Sequence, residues 1–421
     1  MEQTAVKAYV LELCRRARRA AQALLGCDPG LKSEALRNMA SALREGSAEL
    51  EAANRLDLET AASRNLSPAL VDRLTLTPAR IEQMARALEE IAALRDPVGE
   101  VVAQWRRPGG FEVAQVRIPL GVIVMIYESR PNVTADAAGL CFKAGNAVIL
   151  RGGSEALQSN LAIARCLHEG LRRSGLSPDL IQVVEHPDRE IIGELVSRVG
   201  QVDLVIPRGG KGLIRRVVEE ARVPVIKHFE GICHVYVHGD ADLDMALKIA
   251  VNAKAQRPGT CNAMETLLVD AAAAPRFLPR LAEEFRRCGV EIRACPRTRQ
   301  WIPDSREATP DDYRTEYLDL ICNVRVVDGL EEAIEHIETY GSNHTEAIVT
   351  RSLEVARRFV TEVDSSSVMV NASPRLADGG VYGLGAEIGI STDKLHAYGP
   401  MGVSDLTTRK YVVYGTGHVR D

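Results

Sequence analysis

Five apolar runs rich in β-branched residues follow Gly121 along the chain. They lie at 122–127, 147–150, 181–184, 203–206 and 223–226, and helical patterns of about 10 to 20 residues separate them. Parallel strands need a crossover connection, which is usually a helix. The alternation therefore predicts a parallel sheet with helices on both faces, and no other feature of the sequence constrains the fold as strongly.

A second α/β series follows the first. Its strand candidates lie at 265–269, 324–327, 346–350 and 368–370, and its helical patterns at 276–287, 330–339 and 353–362. Two such lobes in series leave a cleft between them, where ligand sites are frequent. We therefore predict an α/β fold with two lobes and a ligand site in the cleft.

The segments outside the two lobes have other patterns. Up to Leu94 the apolar residues recur at spacings of three and four, which predicts a helical N-terminal portion. Residues 105–119 contain two β-prone runs around Pro108-Gly109-Gly110, which predicts a β-hairpin. The C-terminal run 406–414 is again typical of a strand.

Composition excludes several classes of protein. The chain has 421 residues, with 52 Lys and Arg against 57 Asp and Glu, and its net charge of −5 argues against a nucleic-acid partner. The longest apolar run, 118–127, is about half as long as a bilayer span and contains Pro119 and Gly121, so we expect no membrane span. Nine cysteines without a CxxC pair fit a reducing cytoplasm best.

The first motif with chemical content is Arg151-Gly152-Gly153-Ser154-Glu155, between the strand 147–150 and a helix. Glycines at such a turn let a ligand approach the backbone, and the helix N-terminus favours an anion. Arg151 adds a charge that suits a 2′-phosphate. A plain strand-to-helix turn with a solvated arginine explains the same residues.

A second turn of the same kind contains Gly209 and Gly210, after the strand 203–206. It is not a Walker loop, because Val205 stands at the first glycine position and Gly212 replaces the Ser or Thr that binds magnesium. Two glycine-rich turns in one sheet suggest a dinucleotide across the strand ends. The glycines at 383–389 have the wrong spacing for GxGxxG, so we predict a loop that borders a ligand there.

Cys261 is the cysteine with the setting of a nucleophile. Pro258 and Gly259 break regular structure just before it, it opens the second lobe at the cleft, and Arg257 is placed to lower the pKa of its thiol. A buried, inert cysteine is the alternative. We predict no metal site, because the chain lacks HExxH, and His234 and His238 would be about 13 Å apart along a strand.

Four stretches carry a resemblance to a known family. They are RPGTC at 257–261, IPLGVIVMIYESRPNVTADAAGLCFKAGNAVILRGG at 118–153, VIKHFEGICHVYV at 225–237 and VNASPRLADGGVYGLGAEIGIST at 370–392. Together they resemble the gamma-glutamyl phosphate reductases of the aldehyde dehydrogenase superfamily, and the similarity runs over essentially the whole chain. The resemblance implies an NADP-binding domain at 1–104 with 119–253 and a catalytic domain at 254–371. It also implies an oligomerisation hairpin with a C-terminal strand, at 105–118 with 400–421, and a loop bordering the cleft at 372–399.

The resemblance also implies roles for individual residues. Cys261 matches the catalytic thiol, and Asn132 is similar in setting to the asparagine of the superfamily's oxyanion hole. Arg151, Gly152, Gly153, Ser154 and Glu155 match the turn that holds the adenosine ribose and 2′-phosphate of NADPH, Gly209 and Gly210 the turn facing the pyrophosphate, and Glu387 the cofactor-contacting glutamate.

One position departs from the wider superfamily. Hydrolytic aldehyde dehydrogenases have a glutamate, the base that activates the deacylating water, where this chain has His228, 33 residues before Cys261. An enzyme that reduces its thioacyl intermediate benefits from excluding that water. Alternatively, His228 is merely a strand-end residue and Glu230 takes the role of the base.

The resemblance therefore implies NADPH-dependent reduction of L-glutamyl 5-phosphate, a small-molecule substrate supplied by glutamate 5-kinase, in a homo-oligomer. Cationic side chains should line the cleft because this substrate carries a carboxylate and a phosphate. Our candidates for substrate contacts are Arg130, Arg257, Arg375, Ser342 and His344. Two rivals stay open: another acylating aldehyde dehydrogenase that uses coenzyme A, and a catalytically silent nucleotide-binding relative.

Overall fold

The structure is a computed structural model that describes residues 2–420. In chain order its helices are α1 (Gln3–Leu24), α2 (Pro29–Glu45), α3 (Ser47–Ser63), α4 (Pro68–Leu74), α5 (Pro78–Ala93), α6 (Asn132–Lys143), α7 (Leu157–Arg173), α8 (Glu190–Val196), α9 (Lys211–Glu220), α10 (Leu243–Ala255), α11 (Ala274–Arg287), α12 (Pro296–Arg299), α13 (Leu330–Tyr340) and α14 (Leu353–Glu362). The strands are β1 (Val101–Arg106), β2 (Glu112–Pro119), β3 (Val122–Tyr127), β4 (Ala147–Arg151), β5 (Ile181–Val183), β6 (Leu204–Arg208), β7 (Cys233–Val237), β8 (Met264–Asp270), β9 (Glu291–Ala294), β10 (Arg306–Glu307), β11 (Ile321–Val327), β12 (Thr345–Val349), β13 (Ser367–Val370), β14 (Gly389–Ser391), β15 (Gly399–Met401) and β16 (Thr407–Tyr414).

The N-terminal helices begin where the sequence provides caps. Asp28, Ser67 and Thr77 each precede a proline, and each side chain accepts a hydrogen bond from a backbone N–H in the first turn of its helix. The apolar stripe of α5 is buried and packs against α2 and α6. The predicted helical N-terminal portion is confirmed, and it shares one core with the first sheet.

The first sheet is parallel, with the strand order β5-β4-β3-β6. All residues of β3 and β4 are buried, as expected of strands covered by helices on both faces. The strand predicted at 223–226 is wrong, since only Val225 forms an isolated bridge, to Val205. Pro224 has no N–H to donate, so a regular ladder cannot continue through it.

The second sheet is also parallel and has the order β10-β9-β11-β8-β7-β12-β13. Helices α10 and α11 cover one face, and α13 and α14 cover the other. The second α/β series is therefore confirmed. Strand β9 lies beyond the predicted set, because its charged Glu291 and Arg293 leave only two buried positions in four residues.

A small antiparallel sheet stands apart from both parallel sheets. Strand β2 pairs with β1 on one side and with β16 on the other, so the predicted hairpin and C-terminal strand meet. Within residues 2–420, no helix is both long and apolar enough to cross a membrane.

Residues 372–399 connect the two parallel sheets. The Ile388 carbonyl accepts a hydrogen bond of 2.8 Å from Nη1 of Arg208, at the end of β6. The Ala377 carbonyl accepts one of 2.9 Å from Nδ2 of Asn262, beside Cys261. This segment therefore contacts both the end of a strand in the first sheet and the cysteine loop of the second.

Candidate active site

Cys261 lies in a turn between α10 and β8, and its side chain is half-buried. The first residue of β7 and a glycine just before that strand fix this turn. The Sγ of Cys233, the first residue of β7, donates a hydrogen bond of 3.2 Å to the carbonyl oxygen of Cys261. A Cβ on Gly231 would lie 1.9 Å from the same oxygen, so only glycine permits this approach.

The charges around Cys261 have opposite effects on the pKa of its thiol. Burial raises the pKa of the Cys261 thiol to about 11, the Arg208 guanidinium acts to lower it, and the carboxylates of Glu387 and Glu316 raise it further. The largest cationic effect thus comes from Arg208 and not from Arg257, to which the sequence assigned that role. At neutral pH the thiol of the ligand-free protein is protonated.

Four arginines form a cationic group around the thiol. The charges of both Cys261 and Arg257 act on the pKa values of Arg130 and Arg375. Burial lowers the pKa of Arg130, and the charge of Arg208 lowers it further, more than that of any other cation. Among the described residues, none of these four guanidiniums has a carboxylate within ion-pair distance. The group is therefore suited to bind an anion.

Two of the candidate substrate contacts are engaged inside the protein. The Ser342 hydroxyl accepts a hydrogen bond of 2.8 Å from the Ile232 N–H. His344 is fully buried, with Nδ1 2.9 Å from Oγ1 of Thr345 and 3.6 Å from Sγ of Cys233. His344 is therefore not exposed in the cleft, and its side chain packs against Cys233.

The position of the hydrolytic base holds no free carboxylate. Burial, with help from the Arg208 charge, lowers the pKa of His228 to about 4, and its ring lies edge-on to His344 at 5.8 Å. Glu230 forms an ion pair with Lys211, the first residue of α9. The alternative in which Glu230 acts as the base would require that pair to break.

Asn132 opens α6 and is exposed. Its Nδ2 donates a hydrogen bond of 3.0 Å to Oδ2 of Asp136 on the same helix. Burial raises the pKa of Asp136 to about 6. This bond uses one of the two N–H donors of the amide, and the role of Asn132 in an oxyanion hole stays a prediction.

The turn after β4 contains several cations. Arg151 is buried, its Nη2 donates a hydrogen bond of 3.1 Å to the Pro187 carbonyl, and the charges of Arg189 and Arg216 act on it. Oε1 of Glu155 accepts hydrogen bonds from N–H and Oγ of Ser129, at 2.8 and 2.6 Å. Arg189 and Arg216 thus add positive charge near Arg151, which fits the 2′-phosphate of NADP, so the residues present suit this cofactor.

The other residues of that turn have structural contacts. A Cβ on Gly152 would lie 2.2 Å from Nδ2 of Asn160, and one on Gly153 would lie 2.0 Å from Oε1 of Glu155. Oγ of Ser154 accepts a hydrogen bond of 3.3 Å from Nη1 of Arg64. The glycines are thus needed for packing, which does not depend on a ligand.

The turn after β6 already holds an anion. The Gly210 N–H donates a hydrogen bond of 2.9 Å to Oε2 of Glu128, which lies just after β3. The same oxygen is 2.7 Å from the place a Cβ on Gly209 would occupy. Glu128 thus occupies the backbone N–H at the start of α9, and the binding of a dinucleotide phosphate at this turn stays a prediction.

Glu387 lies close to the reacting centre. Its Oε2 accepts a hydrogen bond of 2.9 Å from the Gly379 N–H, and its charge acts on Cys261. Burial raises the pKa of Glu387, and Arg208 lowers it. Cys261, Glu387 and the arginines are thus close together, while Arg151 and Glu155 lie at the neighbouring strand end.

Sequence reasoning missed Arg208, Glu128 and Glu316. A signal for Arg208 was present, because β4 ends in Arg151-Gly152-Gly153 and β6 ends in Arg208-Gly209-Gly210. The repeated Arg-Gly-Gly at two strand ends of one sheet marks both arginines. Among residues 2–420, no group of three or more His, Cys, Asp or Glu side chains could hold a metal ion.

Comparison with known families gives the class of the protein. The family model described as the aldehyde dehydrogenase family matches residues 3–299, more than half of the chain. The chain therefore belongs to the aldehyde dehydrogenase family. Members of this family are enzymes that use NAD(P), and the predicted α/β fold class is confirmed.

Solved structures narrow the class. The gamma-glutamyl phosphate reductase of Thermotoga maritima is 46% identical, with 98% of this chain and 100% of that chain covered and a TM-score of 0.96. The gamma-glutamyl phosphate reductase of Saccharomyces cerevisiae is 30% identical, with 97% and 98% covered and a TM-score of 0.53. Within the aldehyde dehydrogenase family the chain thus belongs with the gamma-glutamyl phosphate reductases, which confirms the resemblance seen in its motifs.

A more distant structure shares the fold. The glyceraldehyde-3-phosphate dehydrogenase GapN of Methanocaldococcus jannaschii, complexed with NADP, is 14% identical, with 97% of this chain and 95% of that chain covered and a TM-score of 0.68. At this identity the likeness concerns the fold alone.

Proposed function

We propose that the protein reduces L-glutamyl 5-phosphate to L-glutamate 5-semialdehyde, with NADPH as reductant and with release of phosphate, in the second step of proline synthesis from glutamate. The observation that carries this proposal is the 46% identity, over 98% of the chain, to a gamma-glutamyl phosphate reductase. The geometry of the site supports each step.

Cys261 is the proposed nucleophile. Its sulfur attacks the acyl carbon, a C–S bond forms, the C–O bond to the phosphoryl group breaks, and phosphate leaves. Backbone N–H groups near Cys261 and the Asn132 amide are the proposed donors to the oxyanion. When the aldehyde forms, the C–S bond breaks and the electron pair returns to the Cys261 sulfur.

The arginines bind the two anionic ends of the substrate in this proposal. Arg130, Arg257 and Arg375 lack carboxylate partners among the described residues, and a phosphate and an α-carboxylate would supply them. Among the described residues, the guanidinium of Arg375 donates one hydrogen bond, of 3.0 Å from Nε to Oε1 of Gln256. Guanidiniums match both kinds of anion in geometry.

The environment of His228 supports reduction of the thioacyl enzyme over its hydrolysis. A histidine with a pKa of about 4 is neutral at physiological pH, and Glu230 is engaged with Lys211. Neither side chain offers a free carboxylate to activate a water. The thioacyl group would therefore persist until it is reduced.

NADPH is the proposed cofactor, held in the proposed domain of residues 1–104 and 119–253. Arg151, helped by Arg189 and Arg216, would hold the 2′-phosphate, the Gly209-Gly210 turn would face the pyrophosphate, and Glu387 would contact the nicotinamide end. When bound, NADPH supplies the hydride that reduces the thioester carbonyl. The chain's part is to orient the thioester and to exclude water.

We also propose a homo-oligomer assembled through the small antiparallel sheet. Both outer strands of this sheet have free edges among the described residues, and apolar side chains are exposed on it: Val101, Val102, Trp105, Tyr411, Val413 and Tyr414. A functional link to glutamate 5-kinase follows from the substrate, because a kinase must phosphorylate the γ-carboxylate first. The proposed compartment is the cytoplasm, which the nine free thiols support.

The reverse reaction tests the proposed activity. Purified protein should reduce NADP in the presence of L-glutamate 5-semialdehyde only when phosphate or arsenate is supplied. Cys261→Ser should abolish this activity, while Cys288→Ser, at a half-buried thiol at the end of α11, should leave it intact. Turnover that needs coenzyme A instead, turnover without any acceptor, or full activity of Cys261→Ser would each overturn the proposal.

A further inference from the structure

Arg208 lies at the end of a strand beside the proposed active site, and the proposed function gives it no role. It is the last residue of β6 and directly precedes the Gly209-Gly210 turn. Its Nη1 donates a hydrogen bond of 2.8 Å to the Ile388 carbonyl, and Nε and Cδ would lie 3.8 Å from a Cβ built on Gly389. The side chain therefore runs along residues 388–389, from the first sheet toward the cysteine loop.

The charge of Arg208 acts on more groups of the site than any other. It acts to lower the pKa of Cys261, and it also acts on His228, Glu387, Asp136 and Arg130. One of these groups lies on α6 and one just before it, and the others lie in the loops before β7, β8 and β14. Arg208 is thus central to the cationic group around the thiol.

Most of the hydrogen-bonding capacity of Arg208 is unused. A guanidinium has five N–H donors, and within residues 2–420 only Nη1 of Arg208 has an acceptor. Arg208 is half-buried and has no ion-pair partner among those residues. The remaining donors form a planar fork of the kind that binds two oxygens of one phosphoryl group.

We infer that Arg208 stabilises the thiolate of Cys261 before it attacks, and binds the phosphoryl group of the acyl phosphate substrate as that group leaves. This inference rests on the proposed function, since it assigns a residue to its substrate. The phosphoryl group carries its C–O electron pair away when the C–S bond forms, and the guanidinium neutralises the charge that collects on the leaving oxygen. Arg130, Arg257 and Arg375 are then left for the α-carboxylate.

The test combines two substitutions with two measurements. Arg208→Gln should raise the KM for phosphate in semialdehyde oxidation by about tenfold or more. It should also slow alkylation of Cys261 by iodoacetamide at neutral pH by about tenfold, because one cation beside a thiol shifts the pKa of that thiol by about one unit. Arg208→Lys retains the charge and loses the fork. It should keep alkylation near the parent rate while the KM for phosphate stays raised.

Controls separate the possible outcomes. Arg215→Gln removes an exposed cation on α9, seven residues on, and should change neither quantity. NADPH affinity, measured by fluorescence titration, should be the same in Arg208→Gln and in the parent. If the parent is active, the inference would be overturned by an Arg208→Gln variant that loses only NADPH affinity, or by one whose KM for phosphate equals the parent's. A parent inactive with phosphate would instead defeat the proposed function, and alkylation would still report on Arg208 and the thiol.

Discussion

The Sγ of Cys233 donates a hydrogen bond of 3.2 Å to the carbonyl oxygen of Cys261. Cys233 is fully buried at the start of β7, so this bond ties the loop of the proposed nucleophile to a rigid strand of the second sheet. Gly231, two residues before Cys233, lies against the same carbonyl. The position of the thiol is therefore set by Gly231 and by the side chain of Cys233 as well as by its own turn.

Gly231→Ala should displace the Cys261 loop. The added Cβ would stand 1.9 Å from the Cys261 carbonyl oxygen, a contact that only a backbone shift can relieve. Because a misplacement of about 1 Å at a reacting group can cost about 10²-fold, we expect kcat to fall by about that factor. Gly212→Ala is the matched control, since nothing lies within 4 Å of its added Cβ, and its kcat should equal the parent's. Equal kcat values for both variants would show that the approach is not needed.

The pH dependence of alkylation at Cys261 follows from its buried setting. Burial raises the pKa of this thiol to about 11, so the reactive thiolate is a minor form at neutral pH. The rate of iodoacetamide labelling should rise about tenfold for each pH unit between about pH 7 and pH 10 in the ligand-free protein. Labelling at Cys261 is followed by mass spectrometry of the peptide that contains it. A plateau below about pH 9 would contradict the expected pKa.

The fold and the site differ in how much of them the sequence determines. The runs at 122–127 and 147–150 are long, apolar and bounded by turns, and they form β3 and β4 as predicted. The prediction at 223–226 failed at Pro224, where composition favoured a strand and the missing N–H prevented one. Local pattern therefore predicts the long apolar strands well, but it fails where a proline removes a ladder bond and where a short strand such as β9 carries charged residues.

Long-range contacts decide the roles that sequence reasoning missed. Arg208 owes its place to the Ile388 carbonyl, which is 180 residues away along the chain. His344 was a candidate substrate contact, yet its side chain is buried against Cys233, and β12 begins at the next residue. The repeated Arg-Gly-Gly marks Arg208 itself, but no local pattern predicts either of these contacts.

Arg151 should determine the choice between NADPH and NADH. A charge-assisted contact to the 2′-phosphate contributes roughly 1.5 to 3 kcal/mol, so Arg151→Gln should raise the KM for NADPH by about ten- to a hundredfold. The KM for NADH should barely change, because NADH lacks that phosphate. Steady-state kinetics with both cofactors provide the measurement. Equal effects on the two would assign Arg151 a structural role, through its bond to the Pro187 carbonyl.

Glu128 should weaken the binding of both cofactors. Its carboxylate accepts a hydrogen bond from the Gly210 N–H at the start of α9, where the pyrophosphate is expected. An anion at a helix N-terminus is stabilised by about 0.3 to 1 kcal/mol, so Glu128→Gln should tighten NADPH and NADH alike by about two- to fivefold.

Fluorescence titration of the two cofactors checks this effect of Glu128. Glu219→Gln, at an exposed position on α9, is the control and should leave both affinities as they are. Weaker binding by Glu128→Gln would mean that Glu128 assists the cofactor and does not compete with it.

His336 should make the protein sensitive to acid. It is buried against Tyr313 and Tyr340, neither ring nitrogen has a hydrogen-bond partner, and burial lowers its pKa to about 2. The unfolded chain binds a proton at this residue near pH 6.5 and the folded chain does not, so stability is present above that pH and is lost as the pH falls below it. Between about pH 7.5 and about pH 5.5, His336 alone should lower the free energy of unfolding by about 1.4 kcal/mol.

Substitution of His336 isolates its share of the acid sensitivity. His336→Phe retains a ring in the pocket and cannot be protonated, so its free energy of unfolding should fall by about 1.4 kcal/mol less than the parent's over the same pH interval. Urea denaturation at the two pH values measures this difference between proteins. His418→Phe, at an exposed histidine near the C-terminus, is the control for replacing a histidine ring by a phenylalanine ring. Parallel pH dependence in the parent and His336→Phe would show that His336 is protonated in the folded protein, against the burial and the missing partners seen here.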